Sequence, residues 1–486
     1  MGLGGGPNGA KAVFKERFAS AFREFDSLAQ ARECVGTARA QTLVVLDGNV
    51  LVMQVPASVD TFTGYVAVLT NALHNAIAAG EHVVVVFDEP EHLTRAKQEE
   101  QARRDARRYP QTPLCSDDVA PPCPRNDDYD AAQLLAEHTN IKLLMNHRLA
   151  RPRFYDALCA AVLDRLKSAF GGQVCAWSLT FDGVDPRGAD RPFDKRRVPG
   201  ILSTLPDVWE PLLRREDPIG EGDLKLTDVC HRVYRARATC PDARVAQVRL
   251  NMLSTVDTDS FMIELIAQSR REGRADPSQN ELTLLCLREP GKKRSHEGTV
   301  ATTAAHYTCV DVEEFHDGVM AYLFGSRSLR PEIEARKPLA ALLLAASIAL
   351  CGCDFVEVRG MRADRVLPIV RDIARNRPDL LALMAGVQTG DALPTAGAAE
   401  AIRAVVEDYV SSITGVPRLK KAVAHASACS QLQLMRACWT TAYWSTREFK
   451  DVFQWGFNHA GVELSLIHIS EPTRRYAISY AVFCLK

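Results

Sequence analysis

The sequence predicts an α/β protein, a parallel sheet with helices on both faces, followed by a helical C-terminal region. Three observations carry this expectation. Residues 42–47, "TLVVLD", and 82–88, "HVVVVFD", are continuous β-rich apolar runs, as buried parallel strands require. Between them, 61–80 has helical periodicity and ends on Gly80, a suitable C-cap, so the three segments form a βαβ unit. From about 370 to 463 the chain reads as helical, and the aromatics of 439–457 read as core rather than as a base-stacking platform.

The remaining elements follow in order. Residues 95–108 form a strongly basic helix, either solvated and salt-bridged or in contact with phosphate. Residues 109–130 are a loop rich in Pro and Asp, 152–170 a helix and 173–181 a strand. The proline-rich stretch 183–218 reads as a variable insertion. A helix covers 223–236, and 249–266 is a buried strand running into a helix. Another strand, 281–290, precedes a basic loop at 291–298. A long apolar helix starts at about 337. The expected division is a core over 1–370, a helical region over 371–463, and a tail over 464–486.

Composition bounds the function. A net charge of −1 excludes a globally basic nucleic-acid binder, so any such surface is a local patch. No apolar run reaches the ~20 residues of a membrane span, and 339–351 reads as a buried helix. No membrane partner is therefore expected. The start lacks the apolar core of a signal peptide, and Gly6 stands where myristoylation wants Ser or Thr. Fourteen cysteines without a CxxC pair fit reduced thiols in an intracellular protein, nuclear or cytoplasmic.

The acids point to chemistry. Asp47 and Asp88 end buried strands, and ligands bind at the carboxyl ends of strands in such sheets. In 219–226, "IGEGDLKL", Glu221 and Asp223 lie two apart in a glycine turn. Asp257 and Asp259 follow another buried strand, although a capped helix start is the rival reading there. Asp354 ends the long apolar helix. Seven carboxylates cannot share one cleft ionised without cations. Hard oxygen ligands select Mg²⁺ or Mn²⁺, and a pair of such ions suits phosphodiester hydrolysis.

In these motifs the chain resembles the 5′-nuclease (PIN-like) superfamily, over roughly residues 40–375. "LDGN", "VFDE", "RAK" followed by "RR", "GEGDLK", "VDTDSF", "LREP" and "GCDF" resemble, in order, the motifs of the 5′–3′ exoribonucleases. "GCDFVEVRGMRADRV" also resembles flap endonucleases, with Arg362 in place of the second expected glycine. Glu89 likewise replaces the usual glycine after Asp88. The resemblance implies a PIN-like core and a metal-dependent 5′ nuclease acting by a two-metal mechanism. Its ligands and catalytic residues would be Asp47, Asp88, Glu221, Asp223, Asp257, Asp259 and Asp354, holding two Mg²⁺ or Mn²⁺ ions. Lys97, Arg103 and Arg104 would hold the 5′ phosphate of a single-stranded end or flap. The exoribonuclease-like reading leads; a structure-specific DNA flap endonuclease and a non-catalytic nucleic-acid-binding relative are the alternatives. Residues 464–486 resemble a translated sequencing adapter and are expected to be artefactual.

Overall fold

All six residues of Thr42–Asp47 are buried, which a strand achieves only when both faces of its sheet are covered. The computed structural model describes residues 9–56, 58–59, 61–93, 150–170, 177–187, 197–216, 218–237, 240, 242–270, 282–289, 306–325, 330–353, 356, 361–388, 396–414 and 431–446. Its strands are β1 Phe22–Phe25, β2 Thr42–Asp47, β3 His82–Val86, β4 Ser178–Val184, β5 Gly200–Ser203, β6 Leu250–Thr255, β7 Leu282–Glu289 and β8 His306–Asp311. They form one sheet in the order β1-β8-β7-β6-β2-β3-β4-β5. The central run β7-β6-β2-β3-β4 is parallel. Antiparallel pairs close both sides, β7–β8–β1 on one and β4–β5 on the other.

Alternation along the central strands gives each face its own core. Val44, Leu46, Val83 and Val85 join Leu69 and Leu73 of the Phe62–Ala79 helix and Leu158 and Val162 of the Ala150–Ala169 helix in one apolar cluster. Leu43, Val45 and Val84 point the other way and are equally buried. The Gly222–Ala236 helix packs on β2, β3 and β6, with Leu224, Leu226 and Val229 inward. Each fully buried Leu or Val contributes about 1.5–3 kcal/mol relative to exposure.

The described residues from 18 to 318 form one compact unit, which holds the whole sheet. Those of 9–17 and those after 318 form another, made of helices. In it the Lys337–Ala349 helix is buried without a break from Ala340 to Ala349. Its one polar residue there, Ser347, donates to the carbonyl of Leu343 at 2.6 Å. The helices Ala363–Asn376, Ala396–Ile413 and Gln431–Thr446 pack around it. Trp439, Tyr443 and Trp444 are buried, as core aromatics should be. Among the described residues no helix is long and apolar enough to cross a membrane.

Several boundaries differ from expectation. β4 runs to Val184 rather than ending at 181, because the buried Asp182 within it is paired with cations and does not terminate the strand. The expected insertion 183–218 contains β5 and the Pro206–Leu213 helix, whose Trp209 is fully buried, so that part belongs to the sheet. β1 and β8 were not legible as strands. The two units divide between 318 and 319. The basic helix 95–108 with Lys97, Arg103 and Arg104, the loops 109–130 and 291–298, Asp354, and the tail 464–486 lie outside the described residues.

Candidate active site

Three adjacent parallel strands deliver acids to one edge of the sheet. In β2 and β3, Asp47 stands opposite Val86, so Asp88 follows two residues beyond the pairing. In β2 and β6, Leu46 stands opposite Ser254, which puts Asp257 just past the same edge. Parallel strands fix this coincidence, since their carboxyl ends all face one way.

Each acid is also tied to the backbone that follows it. Asp47 caps the Gly48–Met53 helix, its Oδ1 accepting the Val50 N–H at 3.1 Å. Asp88 Oδ1 accepts the Gly222 N–H at 2.8 Å. That bond joins the end of β3 to the turn carrying Glu221 and Asp223. The Glu89 N–H donates to the carbonyl of Gly220 at 2.8 Å, a second stitch. The close approach of the loop after β3 explains the first glycine of the motif: a Cβ on Gly220 would lie 2.3 Å from the His92 carbonyl oxygen. Thr255 Oγ1 donates to Asp223 Oδ1 at 3.3 Å and accepts the Asp257 N–H at 3.1 Å. Asp257 Oδ1 in turn accepts the Asp259 N–H at 3.1 Å. Glu221 and Asp259 are buried at the N-termini of the Gly222–Ala236 and Ser260–Ser269 helices.

Burial, then the negative charges of Asp88 and Asp257, push the Asp47 carboxyl from its ordinary 3.8 up to about 7. Among the described residues no Lys, Arg or His pairs with Asp47, Asp88 or Asp257. The donor set is six carboxylates, hard oxygen ligands suited to Mg²⁺ or Mn²⁺. Among the described residues no three of His, Cys, Asp or Glu are grouped closely enough to hold a metal ion as they stand. The site thus gathers the acids at one edge without drawing them into a coordination shell.

Beside it lies a second charged set that the sequence did not disclose. A cleft of about 520 Å³ is lined by Glu89, Asp182, Arg187, Glu210, Arg214 and Arg215 among others. Asp182 stands opposite Val86 on β4, and so shares the edge with Asp47. Arg215 donates to Asp182 at 2.7 Å and to Asp228 at 2.8 Å, and Arg232 donates to Asp228 at 2.8 Å. Lys225, with no exposed side-chain surface, contacts Glu89 and lies 3.7 Å from Asp182. Burial pulls Asp228 up, but Arg215 and Arg232 win and hold it below its ordinary value. Asp182 had a legible signal, because "LTFD" is a third acid-tipped apolar run after "VVLD" and "VVFD".

No protein-family model matches the chain, and comparison with curated proteins finds no significant match.

Proposed function

We propose that the chain is a metal-dependent 5′ nuclease that hydrolyses nucleic-acid phosphodiesters, of the 5′–3′ exoribonuclease-like kind, on a PIN-like core. The observation that carries this reading is the placement of Asp47, Asp88 and Asp257 on one sheet edge, with no described cation paired to them and Asp47 pushed up to about 7. Mutual repulsion of this kind is relieved by a cation, and the acids present are those a hard divalent ion takes.

Asp47, Asp88, Glu221, Asp223, Asp257 and Asp259 would hold the ions. Bound divalent ions supply charge neutralisation at the scissile phosphate and a more acidic water. The protein holds its carboxylates in place through the Val50, Gly222 and Asp259 amides. It thereby pre-sets an anionic edge that binds substrate only through cations. Lys97, Arg103 and Arg104 would take the terminal phosphate as salt-sensitive contacts. A monophosphate carries more charge than a diester, so these cations favour 5′-phosphorylated ends.

The test is a time course on matched 5′-phosphate and 5′-hydroxyl oligonucleotides, in RNA and DNA, with and without Mg²⁺. Mg²⁺-dependent shortening of 5′-phosphorylated RNA is expected. Lys97→Ala and Arg104→Ala should each slow it about ten- to a hundredfold while barely affecting 5′-hydroxyl strands. A marked preference for branched DNA flaps would move the reading to the flap endonucleases. Absence of cleavage on every substrate would reject a nuclease.

A further inference from the structure

Lys225 is an unusual residue to find with no exposed surface. It lies in the first turn of the Gly222–Ala236 helix, two residues after Asp223. Its ammonium contacts the Glu89 carboxylate and lies 3.7 Å from Asp182 Oδ1. Glu89 directly follows Asp88, and Asp182 belongs to β4. One side chain therefore joins the ends of two neighbouring strands to the start of the helix that bears Glu221 and Asp223.

The backbone is shaped around that ammonium. Gly183 adopts φ +90°, and a Cβ there would lie 2.7 Å from Lys225 Nζ and 2.8 Å from the Phe87 carbonyl oxygen. Only glycine leaves room for both. The Gly222 N–H to Asp88 bond and the Glu89 N–H to Gly220 bond lie on the same seam. Burying a lysine and a glutamate is expensive, and well-packed apolar residues of similar volume are often as stable or more so. A fully buried ion pair is therefore a poor way to gain stability. It is a good way to fix register, because a point charge between two carboxylates tolerates little sliding.

Resting on the nuclease reading above, we propose that Lys225, clamped between Glu89 and Asp182, is the positioning residue that sets Glu221 and Asp223 against Asp88 for cleavage. The ammonium touches none of the six acids of the edge in this arrangement. It acts through Glu89, the residue joined to Asp88, and through its own helix.

The test uses the full chain with Lys225→Met, and with Glu89→Gln/Lys225→Met, which removes both charges should the single variant fold poorly. Three quantities are read: kcat and KM on a 5′-phosphorylated oligonucleotide, Mn²⁺ affinity by titration, and hydrogen exchange at the Gly222 amide in metal-free buffer. In both variants kcat and Mn²⁺ affinity should fall by about ten- to a hundredfold, as for lost outer supports of a metal site, with KM changed less than about threefold. Gly222 exchange should quicken at least about tenfold, because its bond to Asp88 is no longer held. Arg232→Met, on the same helix, should move none of the three. Wild-type Mn²⁺ affinity and wild-type Gly222 protection in the charge-free double variant would overturn the proposal. If the wild type cleaves nothing, the nuclease reading falls, and the clamp stands or falls on the exchange and Mn²⁺ measurements alone.

Discussion

Two groups of acids share one edge of the sheet and differ in what neutralises them. Asp47 and Asp182 lie in one row across β2, β3 and β4, and are about equally buried. Asp182 is met by Arg215 and Lys225; Asp47 meets the Val50 amide and the charges of Asp88 and Asp257. Around Asp182 the charges cancel and the set is complete. Around Asp47 they add, and its carboxyl is driven up to about 7. Position at a strand end thus does not decide whether an acid is compensated. The supply of cations among the described residues does, and an anion that meets none of them is open to a cation from elsewhere.

The largest expected effect lies at the end of the edge that holds Asp47. Asp257→Asn with Asp259→Asn should reduce Mg²⁺-dependent cleavage by about a thousandfold or more, while circular dichroism stays that of the wild type. Asparagine at 257 can still accept the Asp259-position N–H, so that bond survives the change. Near-normal turnover would break the contrast at its functional end.

In the compensated group the expected loss is in stability. Arg215→Met leaves Asp182 and Asp228 without their shared guanidinium, and should cost about 3–5 kcal/mol in urea unfolding. A loss below about 1 kcal/mol would mean that the two groups do not differ in kind.

A smaller effect of opposite sign belongs to Asp47. Its folded pKa, about 7, lies above its ordinary 3.8, so ionisation opposes folding. That cost is absent below about pH 4, grows between pH 4 and 7, and is complete above 7. Asp47→Asn removes the charge and keeps a good helix cap. In chelator the variant should exceed the wild type by about 2–4 kcal/mol at pH 8 and match it at pH 4. Equal stability at both pH values would remove the electrostatic half of the comparison.

The smallest effect sets the scale. Thr61 caps the Phe62–Ala79 helix through the Gly64 N–H at 3.2 Å, remote in kind from either group. Thr61→Ala should cost about 1 kcal/mol in thermal or urea unfolding, with the pH dependence of the wild type.

Periodicity made β2, β3, β4, β6, β7 and the helices Phe62–Ala79, Ala150–Ala169, Gly222–Ala236, Ser260–Ser269 and Lys337–Ala349 legible, because strands buried on both faces write continuous apolar runs; the helices Val312–Phe324, Pro206–Leu213 and Gly48–Met53 were not. The edges were not legible. β1, "FREF", is four residues long with its middle exposed, and short edge strands carry little pattern. β5 hid among prolines for the same reason. Of the candidate site, the acids could be read one by one from their places at element ends. The partners could not. Nothing local in "DLKLTDV" marks Lys225 as buried, since its two carboxylates arrive from β4 and from the loop after β3. Pairing across 136 residues is a property of the topology rather than of any segment.

That topology has a consequence for how the protein is made. Among the described residues β1 pairs only with β8, through Phe22 with Val310 and Phe25 with Tyr307. The first of the described strands to leave the ribosome must therefore wait for the last of them. At roughly 5–20 residues per second, that delay is on the order of tens of seconds. Throughout it Phe22 lacks the ring of Phe315, which it later meets at 6.2 Å, and the β8 edge has not been synthesised. Nascent chains stalled before residue 306 should carry an N-terminal segment open to proteolysis and to chaperones, while the β2–β3 pair behind it is already able to form.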